Sequence, residues 1–301
     1  MSYDVIIIGG GPAGLTSAIY AIRSGLKTLL ISKTLGGTAN TIVLLENWPG
    51  YKGSGIELMK KFYEQLKGTG IEVILKDVQG VERRGKEFIV KTPDKEFETK
   101  ALILATGMKR GNFKLPGEER LRGKGISYCT TCDAFFFKDK ITSIIVEKDC
   151  DKDAILMLAN LAKKVYVLCR DKKLKCDGEL KEFVKQGKIE VICDVTPLEF
   201  RGENNVEGII IRKDNLENQE IKLDGIFIEI GSTPLTEFTR KLGLKIDKEK
   251  FIVVDEEMKS SVKGVFAAGD VTNSKLKQVL TASAQGSIAA KSASDFLQIK
   301  I

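Results

Sequence analysis

Three glycines in the spacing Gly9-x-Gly11-x-x-Gly14 constrain this chain more than any other segment, because of what flanks them. Before them, Asp4 to Ile8 is an apolar run that reads as a buried parallel strand; after them, Leu15 to Arg23 continues with small and apolar residues as a helix. In that setting the first glycine allows a tight turn, the second lets backbone approach a pyrophosphate, and the third lets helix and strand pack closely. The helix N-terminus then offers free N–H groups to phosphates. Gly25 closes the helix and Thr28 to Ser32 supplies the next strand, so the chain opens on a βαβ unit. The acid that usually binds ribose at the end of that second strand is missing, since the chain reads Ser32-Lys33. A second carboxylate site stands far downstream, where the strand Gly264-Val265-Phe266-Ala267-Ala268 ends in Gly269-Asp270. A strand ending in Gly-Asp suits a sugar-alcohol chain, which favours FAD with its ribityl group over a nicotinamide cofactor.

A second βαβ unit is expected from Ile141–Val146 (strand), Asp153–Ala162 (helix) and Val165–Cys169 (strand). Between the two units, Val73–Leu75, Glu87–Thr92 and Glu96–Thr99 read as a small antiparallel insert that ends at Leu102–Ala105. Another antiparallel insert is expected over Val191–Asn218, then a strand at Gly225–Gly231, a return through Phe251–Asp255, and a final helix from Thr281. At 301 residues two domains are the default. The fold class is α/β: two nucleotide-binding-type βαβ domains, each a parallel sheet with a small antiparallel insert, the second domain inserted into the first. The FAD-binding domain is expected at 1–112 and 238–301, and the inserted domain at 113–237.

Cys129-Thr130-Thr131-Cys132, followed at once by Asp133, carries the chemistry. Thiols two residues apart can open and close a disulfide, and the sulfur released by one partner is placed to resolve a mixed disulfide with the next. Asp133 supplies a carboxylate that can carry the proton. Half of a zinc site is the competing reading, but it needs further ligands at close spacing. The other cysteines, Cys150, Cys169, Cys176 and Cys193, stand singly and the chain has no histidine, so the redox reading prevails. Those four read as buried small hydrophobes, with a Cys169–Cys176 pair as the alternative. Lys172–Lys175 reads as a solvated turn.

Six cysteines in this length are too sparse for a secreted disulfide scaffold. The acidic start Met1-Ser2-Tyr3-Asp4 does not read as a signal peptide, and glycines break the apolar stretch Val5–Ile22, so no membrane span and a cytoplasmic location are expected. The net charge of +7 mixes both signs along the chain and forms no basic–aromatic stripe, which argues against nucleic acid.

Taken together, these residues resemble the low-molecular-weight thioredoxin reductase family over essentially the whole chain. The family's flavin fingerprint matches Gly9–Gly14, its Glu-Asn-Trp-Pro-Gly stretch Glu46–Gly50, and its Ala-Thr-Gly Ala105–Gly107. Its C-A-T-C-D site matches Cys129–Asp133, its Phe-Ala-Ala-Gly-Asp-Val matches Phe266–Val271, and its Arg-Gln-Ala matches Lys277-Gln278-Val279. The resemblance implies that Cys132 faces the flavin, Cys129 attacks a thioredoxin-like protein, and Asp133 is the acid–base residue. It implies a flavin site made by Gly9, Gly11, Pro12, Ala13, Gly14, Gly37, Asn47, Ala105, Thr106, Gly107, Gly269, Asp270, Lys277, Gln278 and Val279, and a homodimer.

The chain departs from the family where NADPH binds. The second glycine fingerprint is absent: no glycine occurs between Gly125 and Gly178, and the turn after Ile141–Val146 reads Glu147-Lys148-Asp149-Cys150-Asp151. In place of His-Arg-Arg-x-x-x-Arg the chain reads Cys169-Arg170-Asp171-Lys172-Lys173-Leu174-Lys175. Carboxylates repel a pyrophosphate, so NADPH is a doubtful cofactor. The chain therefore resembles the NADPH-independent, ferredoxin-linked branch, with reduced ferredoxin as the expected donor. An ordinary NADPH-dependent reductase, an oxygen-using dithiol oxidase and a non-catalytic redox module stay open as alternatives.

Overall fold

The computed structural model describes residues 2–110, 113–146, 152–176, 178–213, 217–229 and 232–298. The chain divides into two compact units, Met1–Lys109 with Thr233–Ile301 and Arg110–Ser232. The crossings anticipated at 112/113 and 237/238 lie a few residues further along the chain than these.

The first unit begins with β1 (Ser2–Gly10), α1 (Pro12–Arg23) and β2 (Thr28–Leu35). Alternate residues of β1 serve two cores. Val5 and Ile7 join Leu15, Leu30 and Ile103 on one face, while Ile6 and Ile8 join Leu29, Ile31 and Leu102 on the other. Both faces are covered, which is why the strand reads as an unbroken apolar run rather than an alternating one. Each such side chain stabilises the fold by roughly 1.5–3 kcal/mol on burial. α2 (Gly55–Glu64) starts at a capping box in which Ser54 and Glu57 satisfy each other's backbone amides.

After α2 come β3 (Glu72–Ile74), β4 (Gly80–Arg84), β5 (Glu87–Lys91) and β6 (Glu96–Leu104). The sheet order is β3-β2-β1-β6-β5-β4. Two expectations need correction here. Val73–Leu75 is not part of an antiparallel insert; β3 pairs parallel to β2, with Val73 opposite Leu30. Glu96–Thr99 and Leu102–Ala105 are one strand, whose start pairs antiparallel with β5 and whose remainder pairs parallel with β1.

The second unit contains β7 (Ile126–Ser127), β8 (Ile141–Val146), α3 (Lys152–Leu161), β9 (Lys164–Cys169), α4 (Gly178–Lys185) and β10 (Ile189–Cys193). It continues through β11 (Val195–Arg201), β12 (Gly208–Lys213), β13 (Asn218–Lys222) and β14 (Gly225–Glu229). A five-stranded sheet in the order β7-β14-β8-β9-β10 is parallel throughout. Its face bearing Ile144, Val146, Val165 and Val167 packs on Ile155 and Leu158 of α3. Its other face, with Ile145, Leu168 and Ile226, packs on Phe200, Ile209 and Ile211 of the antiparallel sheet β11-β12-β13. The antiparallel insert thus begins at Val195 and runs to Lys222, and the expected start at Val191 belongs to the parallel sheet. The turn Glu147–Asp151 lies outside the described residues.

On its return the chain forms β15 (Val265–Ala267), which pairs parallel to β6, and α5 (Val279–Phe296), which starts two residues before the expected Thr281. Phe251–Asp255 is not a strand; Ile252 makes only isolated bridges to Ile246 and Thr272. α5 lies against α1 through small residues on both sides: Ala13, Ser17 and Ala21 on one, Ala282, Gly286 and Ala289 on the other. The contact is close enough that a Cβ on Gly286 would stand 2.2 Å from the Ala13 carbonyl oxygen. Ser17 Oγ donates to the Gly286 carbonyl at 2.9 Å across it.

Candidate active site

In the first unit the expected flavin residues converge at the carboxyl ends of β1, β6 and β15. The cradle is made by absent side chains. Gly9 has φ +113°, and a Cβ there would stand 2.2 Å from the Ala105 carbonyl oxygen. A Cβ on Gly14 would stand 1.7 Å from the Gly9 carbonyl oxygen. Gly11, in contrast, would meet nothing within 4 Å, so its backbone faces open space. Gly11 is also the N-cap of α1, Pro12 follows it, and no side chain caps the helix, which leaves its first amides available to an anion. Gly37 lies beside this opening, with its built Cβ 3.2 Å from Gly11 Cα.

Gly269 approaches the same helix, its built Cβ 2.9 Å from Ala13 Cβ, and Gln285 accepts its amide at 2.8 Å. Lys277 Nζ donates to the Asp270 and Thr272 carbonyls at 3.0 and 2.8 Å and stands 3.9 Å from the Phe251 ring centroid. Burial lowers the Lys277 pKa, against the opposing pull of Asp270. Asn47 Nδ2 donates to Gln278 Oε1 at 3.0 Å, and Gln278 begins α5 just before Val279. Thr106 Oγ1 donates to the Leu235 carbonyl at 2.8 Å, and Leu235 returns a bond from its amide to Gly107. Where the ribose-binding acid is missing, Ser32 Oγ accepts the Gly10 amide at 2.8 Å and holds the loop itself. These features fit a dinucleotide such as FAD: uncapped amides, an open glycine face, and Asp270 at a strand end.

In the second unit Cys129 and Cys132 form a disulfide with Cα atoms 5.3 Å apart. The motif leaves the carboxyl end of β7 and turns into a four-residue helix, Thr130–Asp133, with the Cys132 and Asp133 amides both donating to the Cys129 carbonyl at 3.1 Å. Ser127, which local spacing gives no reason to suspect, organises the motif. Its Oγ donates to Asp133 Oδ2 at 2.6 Å and accepts the Cys129 amide at 3.1 Å. Thr130 Oγ1 donates to Glu229 Oε1 at 2.9 Å, tying the first intervening residue to the end of β14. Phe135, two residues past Asp133, is 69% exposed. Ser127→Ala is expected to slow thiol–disulfide exchange roughly tenfold or more and to move its pH profile, because a hydrogen bond to a charged group contributes about 1.5–3 kcal/mol. Stopped-flow exchange measured across pH checks this, and an unchanged profile would show that Ser127 does not position Asp133.

Cys169 is buried as expected, whereas Cys176 and Cys193 are only half-buried. They lie at the edge of the α3 core, where partial cover suffices for so small a side chain. Cys150 lies outside the described residues. Lys172, Lys173 and Lys175 are exposed, while Leu174 packs on the α3 core.

Residues 3–286 match the model of the pyridine nucleotide-disulphide oxidoreductases. The chain belongs to that family. Within it, the thioredoxin reductase of Aquifex aeolicus is 40% identical over 99% of this chain and 94% of its own length. The crystal structure of thioredoxin reductase from Streptococcus pyogenes superposes with a TM-score of 0.92 at 35% identity, covering 99% of this chain and 98% of its own. A ferredoxin-flavin thioredoxin reductase from Clostridium acetobutylicum superposes with a TM-score of 0.55 at 33% identity, covering 99% and 98%. The chain is thus a thioredoxin reductase-like, flavin-dependent disulfide oxidoreductase with the two-domain α/β fold of its family. No helix among the described residues is long and apolar enough to cross a membrane.

Proposed function

We propose that this oxidoreductase delivers electrons to Cys129–Cys132 and on to a thioredoxin-like protein, and takes them from an acidic one-electron carrier of the ferredoxin class rather than from NADPH. The observation that carries the donor reading is the carboxyl edge of the parallel sheet in the second unit. Ligands of such sheets bind outside the carboxyl ends of the strands. Here β14 ends in Glu229, and Asp171 and Asp194 follow the ends of β9 and β10. Arg170, the basic residue in register with the family's phosphate-binding motif, has its guanidinium 5.6 Å from the Phe113 ring centroid. An edge with carboxylates at three strand ends is poorly suited to a pyrophosphate and a 2′-phosphate, which need amides and cations. The clostridial relative's name supports a ferredoxin donor, and the +7 net charge favours encounter with an acidic protein. A cytoplasmic homodimer is part of the same reading.

Bound FAD supplies the exchange between one-electron and two-electron transfer. The Gly9–Gly14 loop, the amides of α1 and Asp270 would hold it. In the second unit, the Cys129 thiolate attacks a sulfur of the partner's disulfide, forming a mixed disulfide and releasing the other partner sulfur as thiolate. Cys132 then attacks Cys129, which re-forms the internal disulfide and frees the partner as a dithiol. Asp133, held by Ser127, moves the proton, and exposed Phe135 offers apolar contact to the partner.

Anaerobic addition of NADPH, NADH and reduced ferredoxin in turn to the FAD-loaded protein tests the donor. Bleaching of the flavin band is expected with reduced ferredoxin and not with micromolar NADPH. Rapid bleaching by NADPH would instead make this an ordinary NADPH-dependent reductase. Oxygen uptake driven by a small dithiol alone would make it an oxidase.

A further inference from the structure

The second unit holds another pair of thiols, invisible in the sequence because 24 positions separate them. Cys169 ends β9, Cys193 ends β10, and the two are register partners in the parallel ladder. Neighbouring strands run about 4.8 Å apart, which lies inside the roughly 4.4–6.8 Å between Cα atoms that a disulfide spans. The side chains share one face and pack into the same core. Burial first, and then the neighbouring Cys193 thiol, push the Cys169 pKa up to about 11. Cys169 is 1% exposed and Cys193 is half-buried, so Cys193 is the residue of the pair open to solvent. The backbone around them is already tied, since the Asp194 amide donates to the Asp171 carbonyl at 2.9 Å and joins the turns after the two strands. Cys176 packs on the same core but follows β9 in the connecting segment, outside the ladder.

We infer that Cys169 and Cys193 form a second dithiol–disulfide couple, separate from Cys129–Cys132, that a hydroperoxide oxidises and a dithiol protein restores. The Cys193 thiolate attacks the peroxide oxygen, giving a sulfenic acid and releasing water or an alcohol. Cys169 then displaces hydroxide from that sulfur; the S–S bond forms, and its proton leaves with the hydroxide as a second water. Two electrons pass from the two sulfurs to the peroxide. A dithiol reverses the change by two exchange steps and becomes a disulfide itself. The new bond would close the last register pair of β9 and β10.

Peptide mapping of the whole protein decides the matter. The fully reduced holoprotein is treated with hydrogen peroxide stoichiometric with its two dithiols and its flavin, quenched by alkylation and mapped by mass spectrometry. A Cys169–Cys193 linkage approaching one per chain is expected. Its closure is expected to quicken as pH rises from neutral to mildly alkaline, because the buried Cys169 thiol must lose its proton to attack the sulfenic acid. Cys176→Ser should form the same linkage, and Cys193→Ser should leave Cys169 fully alkylated. Cys193 taken to the sulfinic acid while Cys169 remains a thiol, or Cys193 linked to Cys176, would overturn the inference. The wild-type map alone suffices if a variant fails to fold. Only these sulfurs are read, so the outcome is independent of which donor reduces the flavin.

Discussion

Cys132→Ser and Cys129→Ser are each expected to leave FAD bound while lowering reduction of a thioredoxin-like disulfide below about 1% of wild type. The two residues sit in a unit that contributes none of the glycine cradle, so loss of either sulfur leaves Gly9–Gly14 and Asp270 untouched. Exchange nevertheless needs both. Without Cys129 no mixed disulfide forms with the partner; without Cys132 the mixed disulfide forms and stays, because nothing is placed to resolve it. Turnover assays with the flavin content of each variant measured in parallel check this. A trapped covalent complex with the partner is expected for Cys132→Ser alone. Residual turnover well above that level in either variant would mean that another thiol completes the cycle.

Gly14→Ala is expected to destabilise the protein by about 3 kcal/mol or more, the upper end for overpacking, and to strip it of FAD. The added methyl would fall 1.7 Å from a backbone oxygen, Gly9 O, and backbone cannot swing aside as a flexible side chain would. Relief requires α1 to lift from β1, which also moves the amides at Gly11 away from their present position. Gly11→Ala separates the two effects. Its methyl meets no protein atom within 4 Å, so the apoprotein should melt as the wild type does, yet the methyl occupies the space a phosphate would use. Flavin retention after gel filtration, set against thermal unfolding of the apoproteins, reads both. Wild-type FAD affinity in Gly11→Ala would remove the phosphate from that face.

What the sequence disclosed follows from the range of each interaction. β1 and β9 are legible because nearly continuous apolar runs are the mark of strands covered on both faces, and β8 because Ile144–Val146 is such a run. The glycine loop and the Cys129–Cys132 pair were legible because their chemistry is written in spacings of two or three residues. β3 is opaque in the sequence because three residues carry no period, and only its pairing with β2 reveals it as a parallel edge strand. β6 reads as two segments in the sequence because it changes partners along its length. Ser127 with Asp133, Thr130 with Glu229, and Cys169 with Cys193 were out of reach for different reasons. The first depends on a turn that folds the chain back on itself, and the other two on strands that meet only in the folded sheet.

The contact between α1 and α5 also bears on how the protein is made. Ser17 bonds to Gly286 across 269 residues, and Ala282, Ala289 and Ala290 belong to the same core as Leu15 and Ala18. The first hundred residues therefore leave the ribosome without the helix that covers one of their faces, and they wait for it until Val279–Phe296 has been made. The second unit is contiguous from Arg110 to Ser232, so every partner its core needs has emerged while the first unit is still unfinished. The contiguous second unit is therefore expected to mature before the first, whose early apolar strands stay uncovered until α5 arrives. Nascent chains arrested shortly after Ser232 has cleared the exit tunnel should show a protease-resistant middle and a digestible N-terminus.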